Sequence, residues 1–134
     1  MSLEEAKSIF VGKTRVISAS NFGSQVAYMA PDGMVYLWFP GNQFVLPGKW
    51  TFEPGSFLFE TWVNLCFQYG PGTVNAWSRR NTGKECSPAD TRARLIQDSA
   101  EGDVFGLSRK SEVPFVLPRE RTNIREIKAR LGLN

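Results

Sequence analysis

The chain contains no histidine. That absence closes Ser-His-Asp and Cys-His nucleophile arrangements, histidine-ligated zinc and histidine general bases together. Only two cysteines are present, and without histidine they cannot complete a zinc tetrahedron. There is no Gly-x-x-x-x-Gly-Lys-Ser/Thr loop and no Gly-x-Gly-x-x-Gly turn, so neither common phosphate cradle is available. No apolar run reaches the roughly 18–20 residues of a membrane-spanning helix. Residues 1–12 lack a basic start followed by an apolar stretch, so an export signal is read as already removed.

What is present suits one globular domain spanning residues 1–134. The chain is 42% hydrophobic and 22% charged, with aromatics at 13% including ten phenylalanines and four tryptophans. The net charge is +3. From Arg79 onward lie 12 of the 16 basic and 8 of the 13 acidic residues. Acidic residues are mixed into every basic stretch, which reads as a solvated surface rather than a nucleic-acid face.

Ser2 and Glu5 form a capping-box pattern ahead of Leu3, Ala6, Ile9 and Phe10 at helical spacing, predicting a helix over 3–11. From 14 to 117 the pattern is short strands and turns. Strands are expected at 15–19, 24–29 and 34–39, with a hairpin about Pro31-Asp32-Gly33. Residues 34–39 are apolar throughout, as for a strand covered on both faces. Further strands are expected at 44–46, 49–53 (ended by Pro54-Gly55), 56–69, 73–79, 92–97, 103–108 and 114–117. In the long strand 56–69, Phe57, Phe59, Val63, Leu65 and Phe67 share the face expected to meet the core. A helix follows over 122–131, capped by Thr122, with Ile124, Ile127 and Leu131 on its apolar side. No alternation of strand and helix is present, so the fold class is mainly β: an antiparallel meander forming a small barrel, or a β-sandwich, with short terminal helices.

Cys66 ends an apolar strand and Cys86 follows a polar turn, as in a staple between neighbouring strands. A bond would close a loop of about 20 residues and contribute about 3 kcal/mol; the alternative is two buried free thiols. Oxidation implies an exported, periplasmic or secreted protein. Glu60, set among aromatics, is the lone carboxylate candidate for a histidine-free enzyme, and Asp98, Glu101 and Asp103 flank a turn able to face a hard cation. Both have ordinary surface roles as alternatives, and no catalytic residue, metal or cofactor is assigned. Tyr36, Trp38, Trp62 and Trp77, with Arg79 at the mouth, are the candidate ligand-binding residues; their alternative is a packed core.

Gly48-Lys49-Trp50 resembles the Gly-x-Trp element of lipocalins. With Gly12-Lys13-Thr14, Tyr28, Asp32-Gly33, Cys66 and Cys86, the first two-thirds of the chain resembles a family of small secreted bacterial proteins known only as a domain of unknown function. The resemblance implies export and a lipocalin-like barrel, and brings no catalytic residues. Three functions are therefore expected in order. The first is an exported non-enzymatic protein binding a small apolar or amphipathic ligand or acting as an envelope accessory. The second is a protein-interaction module, such as an inhibitor of an envelope enzyme, presenting a turn at 40–42, 70–72 or 79–83. The third is a carboxylate enzyme.

Overall fold

The computed structural model describes residues 1–19, 23–70 and 83–133. Helix α1 (Leu3–Phe10) starts as its sequence dictates: the Ser2 hydroxyl accepts from the Glu5 N–H at 3.1 Å and the Glu5 carboxylate accepts from the Ser2 N–H at 3.3 Å. This reciprocal pair satisfies two otherwise orphaned donors. Ala6 and Phe10 form its buried side.

Seven strands follow: β1 (Lys13–Ala19), β2 (Gly23–Met29), β3 (Met34–Trp38), β4 (Leu46–Phe57), β5 (Glu60–Tyr69), β6 (Lys84–Pro88) and β7 (Ile96–Glu101). Each pairs antiparallel, in the order β6-β5-β4-β3-β2-β1-β7. The first six form a meander, and β7 returns to the far side of β1. The sheet is a curled half-barrel, mainly β as the sequence predicts, with short helices at both ends of the chain.

The period of two along each strand sends alternate side chains to opposite faces, and both faces are covered. One face gathers Val16, Val26 and Trp38 with Phe105, Leu107, Leu117, Ile124 and Ile127 of the C-terminal segment. The other gathers Met29, Val35 and Leu65 with Ala6 and Phe10 of α1 and Ala89 of α2 (Ala89–Ala93). The all-apolar stretch at β3 is thereby explained: Val35 points into one core and Trp38 into the other.

Buried hydroxyls tie the C-terminal segment to the sheet. Thr14 donates to the Gly102 carbonyl at 2.7 Å, and Ser24 accepts from the Thr122 N–H at 2.9 Å. At Gly23, with φ 73°, an added Cβ would sit 2.6 Å from the Arg119 backbone. Only glycine permits that approach. The final helix, α3 (Ile124–Arg130), is capped by Asn123, not Thr122; Asn123 accepts from the Glu126 N–H at 2.8 Å.

Several expected boundaries differ. The strand at 49–53 does not stop at Pro54-Gly55 but runs on to Phe57, and the strand expected at 56–69 is broken by a turn at Leu58-Phe59. Proline is tolerated because β4 pairs β3 only over Leu46, Pro47, Gly48 and Lys49, so Pro54 lies where β5 is its one partner. The segment 92–97 is divided between α2 and β7. The segment 103–108 is a loop closing in a 3-10 turn at Leu107–Arg109, where Asp103 accepts from the N–H groups of Leu107 and Ser108. Residues 114–117 form no strand. The strand expected at 73–79 lies outside the described residues.

Candidate functional site: the β4–β5 hairpin

The longest ladder joins β4 to β5, from Gly48 opposite Tyr69 to Phe57 opposite Glu60. Its base is embedded: β3 borders β4 up to Lys49, and β6 borders β5 from Asn64 to Gln68. Beyond those limits, Pro54 to Phe57 pair, among the described residues, only with Glu60 to Val63. The hairpin therefore leaves the sheet as a two-stranded ribbon. Such ribbons hold poorly alone, and this one is anchored at its root. Cys66 and Cys86, directly opposed in the β5–β6 register, are joined by a disulfide. Beside them Lys84 contacts Glu53 at 2.8 Å, holding the Glu53 carboxyl below its usual range through that hydrogen bond. The staple predicted from sequence is thus present and secures the ribbon's base.

Trp62 fits the ribbon closely. Its indole N–H donates to the Asn64 side-chain oxygen at 2.9 Å, and a Cβ at Gly55 would collide with the indole. Glycine at that position lets the ring lie across the neighbouring strand.

The ribbon ends in three consecutive apolar residues left open to solvent. Phe57 is 68% exposed, Leu58 83% and Phe59 102%. Other exposed large apolar residues, such as Phe44 and Val116, occur singly, which is normal for a protein surface. A run of three at a projecting tip is different, because burying each such side chain gains about 1.5–3 kcal/mol. Leu58 has φ 56° and is the one described non-glycine residue with positive φ. Positive φ at the first central residue suits a tight hairpin turn, and glycine is the residue that adopts it without strain. A leucine there costs on the order of 1 kcal/mol. The tip thus presents a bulky apolar residue where the backbone favours none.

The sequence-predicted ligand residues fall in different places. Tyr36 and Trp38 share a face of β3. Trp38 is fully buried, its indole N–H donating to the Phe115 carbonyl at 3.0 Å and its ring meeting the edges of Phe105 and Phe115. Tyr36 stacks on Tyr28 with 6.4 Å between centroids; burial and nearby Asp103 raise the Tyr28 hydroxyl above its ordinary value. Trp62 lies on the ribbon, two strands from Tyr36 and Trp38. Trp77 and Arg79 lie outside the described residues, as does most of the 79–83 turn.

Of the carboxylates considered for chemistry, Asp98, Glu101 and Asp103 have structural partners. Asp98 accepts from the Ile124 N–H at 2.9 Å, fastening α3 to β7, and Glu101 contacts Lys13 at 3.3 Å. Glu60 stands exposed at the hairpin tip. Phe57 and Phe59, expected on the core face, are instead exposed at the tip; proline and glycine at 54–55 drew the expected turn to the wrong place. The signal available was the uninterrupted run of three apolar residues, which a one-sided strand does not require.

A second unusual group lies under α1. The Arg15 guanidinium is buried, 4.8 Å from the Phe10 ring centroid and 5.9 Å from that of Phe67, and its Nε and Nη1 find no hydrogen-bond partner. Burial lowers its pKa to about 10. Neighbouring Tyr69 is pushed up to about 12 by burial.

No protein-family model, curated protein or solved structure matches the chain. No helix among the described residues is long and apolar enough to cross a membrane.

Proposed function

We propose that the protein is an exported, non-enzymatic interaction module that docks through the β4–β5 hairpin. The observation carrying this reading is the exposed tip, Phe57-Leu58-Phe59, with Leu58 held at positive φ. Strained residues persist where surrounding structure imposes them and concentrate at functional positions. An apolar knob on a stapled ribbon suits insertion into a partner's cleft. The disulfide supports export, because such bonds persist in oxidising compartments. Trp38 is committed to packing, so weight moves from a ligand held inside a lipocalin-like barrel toward docking at the surface.

The test is photo-crosslinking in cells that export the protein. A photoreactive phenylalanine analogue at position 59 is expected to give discrete adducts that Leu58→Asp removes. The same probe at Val116, exposed but isolated, is expected to give none. Equal labelling from both positions would refute the reading.

A further inference from the structure

We infer that the partner cleft is on a second copy of this chain: the hairpin tip of one molecule seats in the groove between α3 and β7 of the next. The inference rests on the docking reading of the tip and adds the identity of the occupant.

The groove has a volume of about 560 Å³ and is lined by Ile124, Ala129 and Leu133, by Arg125 and Lys128, and by Asp98 and Ser99 of β7. Its apolar wall is open to solvent at Leu133, which is 43% exposed. Arg125 and Lys128 have no ion-pair partner among the described residues. Asp98 does not neutralise them by pairing, since its two oxygens accept from the N–H groups of Ser99 and Ile124.

The tip is the complement of this surface. It offers three apolar side chains followed immediately by Glu60, a carboxylate without an ion pair among the described residues. Apolar residues meet an apolar wall, and the Glu60 carboxylate meets Arg125 and Lys128. Such matching sets partner choice and register. A bilayer is a poorer match, because Glu60 sits beside the inserting residues and is repelled by anionic headgroups.

Within one molecule the two surfaces lie apart along the sheet. In the sheet order β3, β2 and β1 lie between β4 and β7, a separation of about 19 Å at the usual strand spacing. Two different patches on one chain that fit each other make a head-to-tail contact, which closes into a ring or continues as a chain.

Sedimentation velocity on purified oxidised protein tests this, from micromolar to millimolar concentration. Wild-type protein is expected to grow in mass beyond a dimer as concentration rises. A tip variant, Phe57→Ser/Phe59→Ser, and a groove variant, Arg125→Glu/Lys128→Glu, are each expected to stay monomeric with unchanged unfolding midpoints. Mixed one to one, they are expected to stop at a dimer, because only one productive contact remains. Adding Glu60→Lys to the groove variant is expected to restore self-association. A wild-type monomer at millimolar concentration overturns the second-copy inference. If that monomer still crosslinks from position 59 to another protein, the docking reading stands without this occupant; if it crosslinks to nothing, both fall. Tip-dependent flotation with phosphatidylcholine vesicles overturns the inference in favour of a bilayer.

Discussion

Phe57 stands opposite Glu60 in the β4–β5 register, and the two residues that connect them, Leu58 and Phe59, are the most exposed large apolar residues described. A hairpin needs only two connecting residues, and turn chemistry favours asparagine, aspartate or glycine for them. Here the connection is leucine and phenylalanine. The fold does not call for that choice.

The staple predicts a stability loss of known size. Removing it in Cys66→Ala/Cys86→Ala frees a loop of 20 residues and is expected to cost about 3 kcal/mol in denaturant unfolding. The ribbon above it is expected to lose protection first in hydrogen exchange, because β6 and the disulfide secure its root. Uniform loss of protection across the sheet would show that the staple is not local to the ribbon.

Arg15 is a buried cation without hydrogen-bond partners at Nε and Nη1. Phe10 and Phe67 offset part of its desolvation through their ring faces. Replacing such a charge with an apolar side chain of similar length is neutral or stabilising. Arg15→Met is expected to raise stability by about 1 kcal/mol, read from the urea midpoint. A loss of comparable size would mean that the cation–π contacts outweigh the desolvation.

Alkaline pH separates Arg15 from Tyr69. Tyr69 has its folded pKa raised to about 12, so its contribution is complete below the ordinary tyrosine value and is lost as pH climbs through the folded one. Arg15 has its folded pKa lowered to about 10, so it acts in the opposite sense: the unfolded chain holds its proton longer, and stability rises above about pH 10. In wild-type protein the two trends oppose each other. In Tyr69→Phe the Tyr69 contribution is removed, and the urea midpoint at pH 11 relative to pH 9 is expected to be higher than in wild type. An identical pH dependence in both proteins would contradict these assignments.

Much of the scaffold was legible because local signals agreed with the fold. Ser2 and Glu5 announced α1, Pro31-Asp32-Gly33 announced the β2–β3 turn, and the continuous apolar run at 34–39 announced a strand covered on both sides. Cys66 and Cys86 read as neighbouring-strand partners. The errors arose where tertiary context overrode a local cue. Pro54-Gly55 looks like a turn, yet pairing on one edge only makes proline harmless there. Phe57 and Phe59 alternate correctly for a core face, yet among the described residues no element covers that end of the ribbon. Trp38 had the composition of a pocket wall, but Phe105 and Phe115 come from distant sequence to fill the space beside it. In the C-terminal segment, residues 103–117 were read as short strands because polar or glycine punctuation precedes each apolar stretch. Its backbone is instead secured through Asp103, Ser24 and Thr14, contacts that span up to 98 residues and leave no local pattern.

If Leu58 serves contact and not folding, the unfolding free energy of Leu58→Gly shows it directly. Glycine relieves the positive-φ strain but adds freedom to the unfolded chain, two terms of about 1 kcal/mol with opposite sign. Because the leucine side chain is 83% exposed, little packing is lost. Stability is expected to be unchanged or raised by up to about 1 kcal/mol. A loss of more than about 1 kcal/mol would mean that Leu58 holds the hairpin together, and the tip would no longer be a surface kept for a partner.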